Sequence, residues 1–110
     1  MIRRKWRLRH RDDFQRLRND GVPHRHRSLL LSISPNQFGH NRYGFIVSKQ
    51  LGNAVVRNRI RRQLRDIVRR RHPALKPGFD MVFIARSGIA EQPFAQIERI
   101  VLDLTRRAEL

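Results

Sequence analysis

The sequence predicts a single mixed α/β (α+β) domain with a surface built to meet a polyanion. Three observations lead there. Apolar residues alternate at period two in short runs at 28–34 and 42–48, and a denser apolar run spans 79–86. Longer stretches at 52–72 and from Pro93 onward repeat apolar residues at three and four instead, the spacing of helices. Lys and Arg number 25 against 9 Asp and Glu, a net charge of +16 at pH 7. A chain of 110 residues suits one domain, and 39% apolar residues suffice for a modest core where a disordered polycation would have fewer. With no cysteine, no disulfide can reinforce that core, which fits a reducing compartment.

Taken in order, residues 1–9 (MIRRKWRLR) read as a basic arm that need not be fixed in place, with Trp6 and Leu8 available to pack or stack. Asp12 and Asp13 suit a helix start and Gly21 a helix end, which predicts a helix over 12–20 with Phe14 and Leu17 on one face. Leu29, Leu31 and Ile33 alternate with serines and Leu30 in the first strand region; 24–34 is long enough for two short strands. PNQFGHN at 35–41 is a turn by composition. The next strand places Tyr43, Phe45 and Val47 on one side. The helix that follows runs to about His72, where Pro73 and KPG end it. FDMVFIAR at 79–86 carries apolar residues on both faces, as a central strand does. Pro93 opens a last helix with a stripe of Phe94, Ile97, Ile100, Val101 and Leu104. The expected order is α-β-β-(β)-α-β-α around a sheet of about four strands, one domain over 1–110.

The stretch GNAVVRNRIRRQLRD at 52–66 decides the function class. On a helical wheel with Val56 at zero, Ile67, Ile60, Leu64 and Val68 fall within about 120°. Arg61, Arg65, Asn58, Arg69 and Arg62 follow from about 140° to 240°. One side can dock on a sheet while the other projects guanidinium groups. Arg61, Arg65 and Arg69 stand at i, i+4, where like charges cost a lone helix a few tenths of a kcal/mol per pair, roughly. Asp66 is the sole acid of the segment, so a merely solvated mixed-charge face does not describe it. Only Lys5, Lys49 and Lys76 are lysines, leaving 22 arginines. Arginine holds phosphate bidentately and stacks on bases, which favours nucleic acid over a generic anionic surface.

SKQLGNAVVRNRIRRQLRD at 48–66 resembles the signature of the bacterial ribonuclease P protein component, roughly S-K-K-x-G-x-A-V-x-R-N-R-x-K-R-x-x-R. Ser48, Lys49, Gly52, Ala54, Val55, Arg57, Asn58, Arg59, Arg62 and Arg65 match it without a gap. The resemblance covers nearly the whole chain, through Leu8, Phe14, Gly21 and the strand ending Ala85-Arg86. It implies an α/β fold with a left-handed β-α-β crossover, the hand that periodicity would not suggest. It implies a protein subunit that assists an Mg²⁺-dependent catalytic RNA in removing the 5′ leader of precursor tRNA. Arg57, Asn58, Arg59, Arg62 and Arg65 would then contact that RNA, with Lys49 nearby and with Arg61 and Arg69 on the same outward face. Phe14 would meet an unpaired leader nucleotide, and Tyr43 and Phe45 are further candidates; for all three, packing in the core is the other reading. Two departures stand out: Gln50 replaces the second lysine of the signature, and Arg18 stands where many members carry a second aromatic. Leader binding is therefore expected to lean on guanidinium stacking.

Nothing in the chain predicts a catalytic group of its own. The acids are scattered, and Asp12-Asp13 is explained by helix capping. His24 and His26 lie two apart, on one face of any strand there, but lack a Cys, Asp or Glu partner for a metal. No cofactor or metal is therefore expected on the protein. No stretch approaches a membrane span and no apolar segment follows the basic start, so the default expectation is a cytoplasmic protein. A structural RNA-binding protein of ribosomal or assembly type is the alternative. A DNA regulator would need base-reading residues where this helix has backbone-tracking arginines. A membrane-surface helix would need bulkier apolar residues than Val, Ile and Leu.

Overall fold

Each apolar run becomes a strand of one four-stranded sheet in the computed structural model, which describes residues 3–110. The strands are β1 (Val22–Arg25), β2 (Leu29–Pro35), β3 (Arg42–Ile46) and β4 (Phe79–Ala85), in spatial order β1-β2-β4-β3. The region 24–34 does divide in two: β1 and β2 form an antiparallel hairpin with His24 opposite Leu31. His26 lies in the turn, where its Nδ1 accepts the Ser28 N–H at 3.0 Å. It therefore shares no strand face with His24, and the two-His pairing considered from sequence does not form. β4 pairs with β2 antiparallel and with β3 parallel, which makes it central. Parallel neighbours need a crossover, and α2 (Ala54–Arg71) supplies it between β3 and β4.

α2 and α3 (Phe94–Arg107) cover one face of the sheet. Ile60, Leu64, Ile67 and Val68 from α2 and Ile97, Ile100, Val101 and Leu104 from α3 bury against Leu29, Leu31, Ile33, Met81 and Phe83. Burying each such side chain stabilises the docked helix by roughly 1.5–3 kcal/mol, well above the few tenths lost to each i, i+4 arginine pair. α2 starts where Gly52 takes a positive φ of 147° and the Asn53 side chain accepts the Val56 N–H at 3.0 Å. Such a cap contributes about 1 kcal/mol.

α1 (Arg11–Asp20) covers the opposite face, where Leu17, Leu8 and Val82 form a second core with Phe14, Ile46 and Ile84 around it. Its ends differ from expectation. His10 occupies the N-cap, and Asp12 and Asp13 lie in the first turn, favourable to the helix dipole without capping it. Gly21 is extended at φ −68°, so the left-handed stop is not used. Glycine is required there by space: an added Cβ would lie 2.3 Å from the Ser32 hydroxyl oxygen and 2.4 Å from the Leu17 carbonyl oxygen. That hydroxyl donates to the same carbonyl at 2.7 Å and ties α1 to β2.

The described part of the basic arm lies against the sheet. Trp6 stacks on His72 with ring centroids 3.7 Å apart, and the Leu8 N–H donates to the Tyr43 carbonyl at 2.8 Å. Arg7 makes a parallel bridge with Tyr43, so the arm lines the outer edge of β3. Met1 and Ile2 lie outside the described residues.

Candidate nucleic-acid interface

The outward side of α2 carries the predicted comb. Arg59, Arg62, Arg65 and Arg69 are exposed, as is Asn58, while Arg57 and Arg61 are half-buried. The half-buried pair is braced from within: Arg57 Nε donates to the Gly52 carbonyl at 3.2 Å, and Arg61 donates to Asn58 Oδ1 at 3.1 Å and to the Val47 carbonyl at 3.4 Å. Arg59 donates to the Ala90 carbonyl at 3.0 Å. Lys49 is exposed in the single 3₁₀ turn before α2. Among the described residues, carboxylate pairs on α2 are confined to its second half. Arg69 and Arg70 hold Asp66 at 2.7 and 2.9 Å. The hydrogen bond from Arg69 keeps that carboxyl below its usual range. Arg69 is thus partly neutralised, and the positions from Arg57 to Arg65 are the stronger cations.

A hollow of about 260 Å³ opens beside the edge of β3, lined by Arg7, Leu8, Arg9, Phe14, Phe45 and Arg65, with Tyr43 and Gly44 also on its wall. Phe14 enters from the α1 side. Its ring packs on the sheet over Gly44, which has no side chain; a Cβ there would lie 2.5 Å from the ring. Phe45 enters from the α2 side, stacked on Phe83 with centroids 5.8 Å apart. The Arg65 guanidinium stands 6.0 Å from the centre of the Phe45 ring. Partial burial and the charges of Arg7 and Arg61 lower the Arg65 pKa, the mark of crowded cations that an anion would relieve.

Three of the predicted residues meet here: Phe14, Phe45 and Arg65. Tyr43 belongs to the wall in another sense. It is 1% exposed, its hydroxyl pairs with His72 Nδ1 at 2.7 Å, and burial pushes its pKa up to about 12. With no face to offer a nucleotide, the ring supports the site from beneath. Arg18 is exposed on α1 and does not line the hollow. Arg7 and Arg9 were not singled out from the sequence. One signal pointed to them, the basic arm itself, but its path along β3 depends on contacts with Tyr43 and His72 that are distant in sequence.

Among the described residues, no three or more His, Asp and Glu gather as a metal site, and no helix is long and apolar enough to cross a membrane. The most deeply placed carboxylate, Asp80, is held by Arg16, Arg42 and Asn36.

Known proteins of similar sequence and shape identify the family. The sequence model of the Ribonuclease P family matches residues 2–109. The ribonuclease P protein component of Roseiflexus castenholzii is 48% identical over 108 residues, spanning 97% of this chain and 88% of that one. That of Chloroflexus aurantiacus is 39% identical over 108 residues, spanning 97% and 80%. The solved RNase P protein of Staphylococcus aureus superposes with a TM-score of 0.87 at 31% identity, covering 94% of each chain. That of Thermotoga maritima gives 0.85 at 30% identity, covering 92% and 96%. Signature, fold and full-length similarity converge, and the chain belongs to the ribonuclease P protein component family.

Proposed function

We infer that this chain is the protein subunit of ribonuclease P, binding the catalytic RNA along α2 and the 5′ leader of precursor tRNA in the hollow beside β3. The observation that carries this reading is a juxtaposition. The arginines of the first half of α2, which have no carboxylate partners among the described residues, run directly into a hollow walled by two phenylalanines and three arginines. Arg57, Asn58, Arg59, Arg61, Arg62 and Arg65 would track the RNA backbone and release its counterions, with Lys49 at one end and Arg69 at the other. Phe14 and Phe45 would pack a leader base, while Arg7, Arg9 and Arg65 hold its phosphates.

The bond-breaking chemistry is assigned to the RNA, together with its Mg²⁺. The carboxylates of this chain suit that division: Asp80 and Asp66 are held by arginines and form no oxygen cage for a hard cation. The protein's part is to bind, orient and screen. Fixed guanidiniums replace part of the mobile cation atmosphere that two RNAs need before they approach each other. The compartment that goes with this role is the cytoplasm.

The test is leader removal by the catalytic RNA at low Mg²⁺, with and without this protein. Cleavage restored by the protein at Mg²⁺ concentrations where the RNA alone is slow is the expected result. An RNA whose rate and Mg²⁺ requirement do not change on adding the protein would overturn the assignment.

A further inference from the structure

A second hollow, of about 230 Å³, lies next to the first. Its walls are Arg4, Lys5, Arg7 and Arg9 from the arm and Phe38, His40 and Arg42 from the β2–β3 loop and the start of β3. No Asp or Glu lines it. Arg7 and Arg9 line both hollows, so the two are neighbours separated by these side chains.

Phe38 is 58% exposed, while the other five phenylalanines are at least half-buried. Yet the ring is held. The Arg42 guanidinium sits 4.3 Å from the ring centre and is itself fixed by two hydrogen bonds to Asp80, at 2.9 and 2.7 Å. The Phe38 N–H donates to Asn36 Oδ1 at 2.9 Å. His40 reaches the Phe38 carbonyl through Nδ1 and the Lys5 carbonyl through Nε2, each at 3.2 Å, and so ties the loop to the arm. An aromatic ring this exposed, above a cationic floor, adds little to the core. Stacking on an unpaired base suits it, because every base offers a π-face and every linking phosphate a charge.

We propose that this hollow is a further nucleotide subsite. A base of the single-stranded leader, beyond those in the Phe14–Phe45 hollow, stacks on the side of Phe38 away from Arg42. The flanking phosphate lies among Arg4, Lys5, Arg7 and Arg9. The subsite rests on the leader-binding reading of the first hollow and extends it. It is tolerant of base identity, since the ring supplies stacking and no hydrogen-bond code.

The experiment uses the holoenzyme reconstituted with its catalytic RNA and precursor tRNAs whose leaders grow one nucleotide at a time. For the unsubstituted protein, affinity rises with leader length in two steps. Phe38→Ala removes the second step, a loss of roughly fivefold or more, and leaves short-leader and leaderless substrates unchanged. Phe38→Trp restores that step. Arg4→Gln with Lys5→Gln weakens its salt dependence. Phe38→Ala without effect, or with equal loss on all leader lengths, overturns the subsite while the first hollow stands. An unsubstituted holoenzyme indifferent to the leader altogether overturns the leader reading of both.

Discussion

At Asp80 one fully buried carboxylate meets donors from three parts of the chain. Arg16 on α1 reaches Oδ2 at 2.6 Å, Arg42 on β3 spans both oxygens, and Asn36 in the loop reaches Oδ1 at 2.9 Å. Burial by itself pushes this carboxyl up, but the hydrogen bonds from Arg42, Asn36 and Arg16 outweigh it and hold the pKa below the usual 3.8. Its contribution is therefore complete above the unfolded value and lost as pH falls through the folded one. Asp80→Asn should cost about 3 kcal/mol, because the Arg16 and Arg42 guanidiniums then lose their buried anion and keep only Asp13, at 3.8 and 3.5 Å. A melting temperature lower by on the order of 10 °C is the expected reading; an unshifted melt would show that the clamp is dispensable. Nothing in the sequence singled out Asp80. Its position in the central strand is visible there, but its partners lie 38, 44 and 64 residues away.

Among the elements, α2 was the most legible, since its apolar stripe and its basic face are local properties of one helix. Ile60, Leu64, Ile67 and Val68 anchor it, as the spacing required, and the structure adds the Asn53 cap. α1 was less legible. Its end is set by the fit of Gly21 against Ser32 on another element, and Phe14 lies where Gly44 leaves room. The comb makes a prediction at this scale. Arg62→Gln with Arg65→Gln should weaken binding to the catalytic RNA and lower the salt slope of log Kd by about 1–2. Thermal stability should stay within about 0.5 kcal/mol, as for other surface changes. A collapsed melt with an unchanged slope would mean that the two arginines serve the fold instead.

Across the whole molecule, one junction joins the arm, β3 and the end of α2. His72 stacks under Trp6 and shares a hydrogen bond with the Tyr43 hydroxyl at 2.7 Å. Burial first, then the charges of His40 and Lys5, hold its pKa below 6.5. The unfolded chain therefore takes up this proton before the folded chain does, and stability falls as pH drops below about 6.5. Urea midpoints measured from pH 7.5 to 5 should decline, and His72→Gln should flatten that decline; identical slopes for both would remove His72 as the cause. The amino-acid sequence by itself determined the polyanionic class of partner, the element order and the basic helix, because charge, periodicity and capping act between near neighbours. Only the tertiary structure decided that the arm runs along β3, that Tyr43 is buried in the wall of the hollow, and that Arg7, Phe14, Phe45 and Arg65 share that hollow. Those outcomes depend on contacts between residues far apart in the chain, whose energies exist only once the sheet has brought them together.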